Sequence, residues 1–192
     1  SFQDYFNIRI GYKFEYIKSY FSNYFINNSD IKVDLRSRSR SITILNKHKE
    51  NWSVTLVDTG KDTMTGGRLK RIKKYINEDF CFTYGDGVAD INISNLIDFH
   101  KTEKRLATIS AVYPPGRFGA LDISGNKVIK FNEKPKGDGA LINGGYFVLS
   151  PKVIDLINDD QTVWEKYPME ELANSGEMSC FTHDGFWQSM DT

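Results

Sequence analysis

The chain has 192 residues, of which 40% are hydrophobic and 26% charged, a composition typical of a soluble globular protein that buries a sizeable core. Its 25 Lys and Arg residues balance its 25 Asp and Glu residues, which argues against nucleic acid and anionic membranes as partners. No apolar stretch approaches the roughly 20 residues of a membrane span, and two cysteines do not make a disulfide framework, so we expect a cytoplasmic protein.

Strands and helices alternate along the first half of the chain. The hydrophobic pattern predicts a strand at 5–10, a helix at 14–25, strands at 31–35 and 52–57, and, after a Gly- and Thr-rich loop at 58–67, a helix at 69–76. Basic and hydroxyl residues alternate over 36–41. They could form a phosphate-binding patch, but a solvated loop or an edge strand explains them better.

The second half continues the alternation and then changes character. It predicts strands at 80–84 and 106–113 around a helix capped by Ser94, then a β-hairpin at 120–131, a strand at 146–149 and a helix beginning at Ser150-Pro151. The continuous apolar run at 80–84 is typical of a parallel strand covered on both faces. The pattern as a whole predicts one α/β domain over residues 1–192.

A Gly-Asp-Gly turn directly follows the strand predicted at 80–84. In Tyr84-Gly85-Asp86-Gly87 the flanking glycines leave room for a phosphate and a cation to approach the backbone. Ligands of open α/β sheets bind at the carboxyl ends of strands, and one Asp beside phosphates suits Mg²⁺. An ordinary β-turn explains the same residues equally well.

A second carboxylate lies near the end of the chain. Asp191 follows the aromatic residues Phe186 and Trp187 and precedes Thr192. A core strand followed by a helix cap would give the same pattern. Two Asp residues from distant parts of a chain can nevertheless share one metal ion, so Asp86 and Asp191 are a candidate pair.

The segment Thr65-Gly66-Gly67-Arg68 lies between a predicted strand and a predicted helix. Glycines at such a place expose backbone N–H groups at the start of the helix, which suits an anion or the edge of a nucleobase. Arg68 would add a charge-assisted fork for a phosphate. A flexible connection is the alternative interpretation.

Two further segments have the chemistry of a sugar-phosphate site. In Glu133-Lys134-Pro135 the carboxylate can bind two sugar hydroxyls and the ammonium can bind a phosphate, although a surface turn has the same composition. Asn143-Gly144-Gly145 precedes a strand, and its bare backbone would let a flat sugar ring lie close.

The order of these motifs resembles that of the glucose-1-phosphate cytidylyltransferase family. The resemblance covers residues 5–192 and is close from Val54 onward. It implies an α/β fold with the Rossmann-like mixed sheet of the nucleotide-diphospho-sugar transferases. It also implies that CTP and α-D-glucose 1-phosphate are joined into CDP-glucose and pyrophosphate, for dideoxysugar and O-antigen synthesis.

The resemblance also assigns roles to individual residues. It implies that Asp86 and Asp191 bind Mg²⁺ and that Lys134 and Arg68 assist the transfer. The CTP site would consist of Thr63, Thr65, Gly66, Gly67, Arg68 and Asp86. The sugar-phosphate site would consist of Tyr84, Glu133, Lys134, Asn143, Gly144, Gly145 and Trp187, with the hairpin part at 114–145. A homo-oligomer, trimeric or hexameric, is also implied.

The sequence departs from the family at both ends. The first strand, the Gly-rich triphosphate loop and the C-terminal tail of the family have no counterpart here, so we expect part of a longer protein. Three alternatives remain open: a dTTP- or UTP-dependent enzyme, a remnant that binds sugar phosphate without catalysis, and a retaining glycosyltransferase. The last is disfavoured because Asp86-Gly87-Val88 lacks the second Asp of an Asp-x-Asp motif.

Overall fold

The computed structural model describes residues 5–11, 13–36, 41–46, 50, 52–114, 120–124, 127–132 and 141–190. Their contacts form two compact units, Ser1–Tyr75 with Asn158–Trp164, and Ile76–Ile157 with Glu165–Thr192. We call them unit 1 and unit 2. The prediction of a single domain stays a prediction. No helix in the described ranges is both long and apolar enough to cross a membrane.

Unit 1 contains a parallel strand pair and a separate antiparallel pair. Its elements are β1 (Tyr5–Ile10), α1 (Phe14–Ser22), α2 (Tyr24–Asn27), β2 (Ile31–Asp34), β3 (Ser41–Ile44), β4 (Ser53–Asp58), α3 (Thr65–Arg71) and a 3-10 helix (Lys73–Tyr75). β1 pairs in parallel with β4, with Ile10 opposite Asp58, and β2 pairs antiparallel with β3. The helix predicted at 14–25 is interrupted at Asn23, whose side-chain amide donates to the Ser19 carbonyl at 2.8 Å.

Unit 2 contains a mixed four-stranded sheet. Its elements are β5 (Phe80–Thr83), β6 (Gly87–Ala89), α4 (Ile93–Glu103), β7 (Ala107–Val112), β8 (Ala120–Ser124), β9 (Lys127–Asn132), β10 (Ile142–Leu149), a 3-10 helix (Pro151–Leu156), α5 (Tyr167–Asn174), β11 (Met178–His183) and β12 (Trp187–Ser189). The strand order is β11-β7-β10-β5, with β11 parallel to β7 and the other pairs antiparallel. β8 and β9 form the hairpin predicted at 120–131.

Two local predictions for unit 2 were wrong. β5 was expected to be a parallel strand covered on both faces, but it pairs antiparallel with β10, and Cys81 and Thr83 are exposed while Phe82 is buried. Helix α4 is capped by Asn92 rather than Ser94, because the Asn92 side chain accepts a hydrogen bond from the Asn95 N–H at 3.0 Å.

The core of unit 2 lies between α4 and the sheet. Leu96 and Ile97 of α4 pack with Val148 of β10, as one face of an amphipathic helix is expected to do. Three polar side chains that are hydrogen-bonded in series are also buried in this unit. His100 Nδ1 lies 2.8 Å from Thr108 Oγ1, which lies 2.7 Å from Ser179 Oγ. Burial lowers the pKa of His100, and the nearby Asp79 carboxylate opposes that shift.

Candidate functional site

The loop between β4 and α3 carries the residues predicted to bind the nucleotide in unit 1. Thr59 and Thr63 are buried. The Arg68 guanidinium donates to Thr59 Oγ1 at 2.8 Å and to the Lys61 carbonyl at 3.0 Å, so it fastens the loop to α3. Two guanidinium nitrogens of Arg68 therefore already donate within the protein, and its role toward a phosphate stays a prediction.

The structure corrects the placement of Gly66 and Gly67. They were expected in a connection with exposed N–H groups, but both are buried in the first turn of α3. Their N–H groups donate to the Thr162 carbonyl at 3.0 and 3.2 Å, so these donors face the protein and no ligand. A Cβ at Gly67 would stand 2.5 Å from the Asp160 carbonyl oxygen. Close packing against another segment is therefore the reason for glycine here.

That segment, Asn158–Trp164, is hydrogen-bonded to the start of α3, and we call it the strap. Its Asp160 carbonyl accepts from the Met64 N–H at 2.8 Å, and the Trp164 N–H donates to Thr65 Oγ1 at 2.9 Å. The Asp160 carboxylate accepts from Arg71 Nε at 3.0 Å and from its terminal nitrogen at 2.5 Å. The hydrogen bonds from Arg71 lower the pKa of Asp160 below its usual value.

Asp86 lies exposed in the turn between β5 and β6 of unit 2. β6 pairs antiparallel with β12, with Ser189 opposite Gly87. The ladder continues at its end, where the Met190 N–H donates to the Asp86 carbonyl at 2.7 Å. Asp86 is therefore hydrogen-bonded to the residue that precedes Asp191 in the sequence. Asp191 itself lies outside the described residues.

Five of the residues predicted to bind sugar phosphate lie together in unit 2. The Tyr84 N–H donates to the Gly145 carbonyl at 3.2 Å, and Asn143 Oδ1 accepts from the Gly145 N–H at 2.8 Å. Gly145 has a φ of +79°, and a Cβ there would stand 2.9 Å from the Tyr84 ring. Trp187 Nε1 donates to the Gly144 carbonyl at 2.8 Å. Glu133 and Lys134 lie outside the described residues.

An irregularity in β10 produces this arrangement. The pairing of β10 with β7 shifts register between Asn143 and Phe147, as at a β-bulge. Tyr146, within the bulge, donates from its hydroxyl to the Gly87 carbonyl at 3.0 Å and so joins the bulge to β6. Tyr146 was not among the predicted site residues. The only sequence signal for it is its position directly after Gly144-Gly145.

The described side chains define what unit 2 can do chemically. Asp86 is an exposed carboxylate in the turn after β5. Gly144 and Gly145 were expected to leave bare backbone for a sugar ring, but both are buried, with Ser110 and Tyr84 packed against them. Carboxylate oxygens bind hard cations, and Mg²⁺ is bound by one or two carboxylates together with substrate phosphates. This chemistry suits a phosphate held with a divalent cation. No group of three or more His, Cys, Asp or Glu side chains that could hold a metal ion by itself occurs among the described residues.

Comparison with known proteins gives a consistent result. A family model described as "Nucleotidyl transferase" matches residues 31–188. The chain is 55% identical over 189 residues to a glucose-1-phosphate cytidylyltransferase of Salmonella typhi, and 40% identical to a probable glucose-1-phosphate cytidylyltransferase of Bacillus subtilis. Each of these matches covers 97% of this chain and 73% of the relative.

The fold is also similar to that of solved structures. The crystal structure of HddC from Yersinia pseudotuberculosis superposes with a TM-score of 0.66 at 21% identity, covering 97% of this chain and 73% of that one. Together with the family match, this confirms the predicted α/β mixed-sheet fold of the sugar nucleotidyltransferases.

Proposed function

This chain belongs to the nucleotidyl transferase family and, within it, to the glucose-1-phosphate cytidylyltransferases, and from that premise we propose that it transfers the cytidylyl group of CTP to α-D-glucose 1-phosphate. The products are CDP-glucose and pyrophosphate. The observation that carries this proposal is the 55% identity to a protein of that name over 97% of the chain.

The reaction requires positioning more than acid–base chemistry. A phosphate oxygen of glucose 1-phosphate attacks the α-phosphorus of CTP in line. The new P–O bond forms as the bond from the α-phosphorus to the oxygen of the leaving pyrophosphate breaks. A phosphate monoester is already nucleophilic near neutral pH, so no side chain needs to remove a proton. The chain has to align two anionic substrates and offset their charge.

We propose that the β4–α3 loop and the start of α3 hold CTP, through Thr63, Thr65 and Arg68. Gly66 and Gly67 would contribute by packing against the strap and so fixing where α3 begins. The loop is held in one conformation by hydrogen bonds within the protein, from Arg68 to the loop and between the strap and the start of α3. This supports the proposal, because no ligand is needed to form these bonds. A preorganised loop loses little conformational entropy on binding. Two nitrogens of Arg68 already donate to the protein. Its proposed contribution is therefore the positive charge it places near the nucleotide, rather than a bidentate hydrogen bond to a phosphate.

For the sugar phosphate, we propose a site lined by Tyr84, Asn143 and Trp187 and shaped by the buried glycines Gly144 and Gly145. The contacts among these residues support the proposal, because they stand together around one irregular segment of β10. Glu133 and Lys134 are proposed as partners of the sugar hydroxyls and the phosphate, on the strength of the sequence resemblance.

The residues present also fit a divalent cation, for which we propose Mg²⁺ bound by Asp86 and Asp191. Mg²⁺ is usually bound by one or two carboxylates and by substrate phosphates, so a pair of Asp side chains suits this ion. The hydrogen bond from Met190 to Asp86 supports the pairing. When bound, the cation would neutralise charge on the phosphates; Asp86 in this proposal orients it.

Assembly and location are proposals of the same kind. We propose a homo-oligomer, trimeric or hexameric, and unit 1 supports it by exposing large apolar side chains, namely Tyr16, Tyr20, Phe25, Leu35 and Leu45. A cytoplasmic location is proposed because both cysteines are free thiols. A role in dideoxysugar synthesis for O-antigen would follow from the product.

Pyrophosphate release from the full-length protein with CTP, Mg²⁺ and glucose 1-phosphate tests the proposal. We expect turnover that requires both substrates and stops when EDTA removes the cation. Binding of glucose 1-phosphate in calorimetry without any release of pyrophosphate would contradict transfer and would favour a sugar-phosphate-binding protein.

A further inference from the structure

The ribbon formed by β6 and β12 has two ends with different partners. Each of its strands has three residues, and a two-stranded ribbon of that length is not stable by itself. At one end the Met190 N–H donates to the Asp86 carbonyl at 2.7 Å. At the other end, the segments that carry the two strands meet at Asp90 and Phe186. The Tyr146 hydroxyl also joins the first end to β10 through the Gly87 carbonyl. The contacts at the second end therefore add to those that place the first end.

Asp90 closes the second end with its backbone and its carboxylate. Its N–H donates to the Phe186 carbonyl at 3.2 Å, and its Oδ1 accepts from the Phe186 N–H at 2.8 Å. The same Oδ1 lies 2.8 Å from His183 Nε2, which is also 3.2 Å from the Phe186 carbonyl. Both neighbours of this nitrogen are acceptors, so we assign the proton of the imidazole to Nε2.

His183 connects this closure to the main sheet of unit 2. It is the last residue of β11 and stands opposite Val112 of β7. Its side chain is 13% exposed, so packing holds the ring in place. The turn is shaped around the pair, because a Cβ at Gly185 would overlap Asp90 Oδ1 and stand 2.6 Å from His183 Cε1. This end of the ribbon is therefore attached to β11 through one carboxylate and one imidazole, while Tyr146 and Trp187 join the ribbon to β10.

We propose that Asp90 and His183 are positioning residues for the cation site. They fix the register of the ribbon, and with it the spacing between Asp86 and Met190, the residue before Asp191. Asp90 lies four positions after Asp86, which in a strand is about 13 Å, too far for Asp90 to bind the same cation. This inference rests on the proposed function and adds two residues that act through Asp86.

The test compares Asp90→Ala with wild type in two measurements. The first is the affinity for Mn²⁺, a paramagnetic substitute for Mg²⁺, from the EPR signal of free Mn²⁺ with CDP-glucose present. The second is steady-state kinetics, in which kcat and the KM for glucose 1-phosphate are determined separately. Loss of groups that orient metal ligands typically costs 10- to 100-fold in affinity. We expect Mn²⁺ binding about 10-fold weaker or more and a lower kcat, with KM within about twofold.

Two variants separate positioning from simple loss of structure. Asp90→Asn keeps an oxygen that accepts from the Phe186 N–H, so we expect it to recover much of the Mn²⁺ affinity. His183→Ala removes the attachment to β11, and it should weaken Mn²⁺ binding even if Asp90→Ala fails to fold. Asp98→Ala is the matched control: it removes the same charge from a side chain that is 76% exposed on α4, and should bind Mn²⁺ as wild type does.

The outcomes distinguish this inference from the proposed function. Wild-type turnover together with unchanged Mn²⁺ affinity in folded Asp90→Ala or His183→Ala would overturn the inference alone. An equal loss of Mn²⁺ affinity in Asp98→Ala would overturn it too, since that would show a general effect of removing a negative charge. A wild-type protein that neither binds Mn²⁺ nor releases pyrophosphate would overturn the proposed function and this inference with it.

Discussion

Substituting Gly67 by Ala tests whether the strap fixes the start of α3. A Cβ at this position would stand 2.5 Å from the Asp160 carbonyl oxygen, 2.6 Å from its Cα and 2.7 Å from its carbonyl carbon. All three are backbone atoms, so no change of side-chain rotamer relieves the overlap. The strap is in turn held by the pairing of Asp160 with Arg71 and by the Met64 N–H.

The magnitude follows from two opposing effects. Overpacking a filled site costs about 1–3 kcal/mol, and a clash with backbone belongs in the upper half of that range. Replacing Gly by Ala within a helix stabilises the folded state by up to about 1 kcal/mol. We therefore expect a net loss of about 1–2 kcal/mol in the free energy of unfolding. For a chain of this size that corresponds to a melting temperature lower by about 2–8 °C.

Thermal unfolding followed by circular dichroism measures the effect. Gly85→Ala is the control, because no atom lies within 4 Å of a Cβ there, and its melting temperature should match that of wild type. The KM for CTP should rise in Gly67→Ala, since the displacement would reach Thr63 in the loop and Thr65 at the start of α3. A Gly67→Ala protein as stable as wild type would refute the account of the strap.

Three further predictions concern unit 2. Asp86→Asn should lower kcat about 10²- to 10³-fold in a pyrophosphate-release assay, with an unchanged melting temperature because the side chain is exposed. Gly145→Ala, at a φ of +79°, should cost about 1–2 kcal/mol in urea unfolding. His100 has a pKa lowered by burial, so below about pH 6.5 the unfolded chain binds a proton that the folded one does not, and stability falls as pH falls. Urea unfolding at pH 7.5 and 5.5 should show a smaller loss for His100→Gln than for wild type.

The order of motifs allowed the family to be predicted from the sequence, and with it the proximity of several candidate site residues. Tyr84, Gly145 and Trp187 were expected at one sugar-phosphate site, and the structure brings them together around β10. Their binding role is still a prediction. These positions could be found because each motif is local: a strand that ends in glycine, or an aromatic residue just before an Asp, is visible within a few residues.

The rest could not be predicted because it depends on partners distant in sequence. Gly66 and Gly67 were expected in a loop, since glycine disfavours helices. Their place inside α3 depends on Asp160 and Thr162, more than 90 residues later, whose backbone packs against them. The closure of the ribbon by Asp90 likewise involves a turn more than 90 residues away. No local pattern marks either contact.

The most direct test of the central claim is a competition among nucleotides. The full-length protein is given CTP, dTTP and UTP at equal concentration with glucose 1-phosphate and Mg²⁺, and the nucleotide sugars are separated by chromatography. We predict that CDP-glucose forms first and accounts for nearly all of the product. Predominance of dTDP-glucose or UDP-glucose, or no nucleotide sugar at all, would contradict cytidylyl transfer.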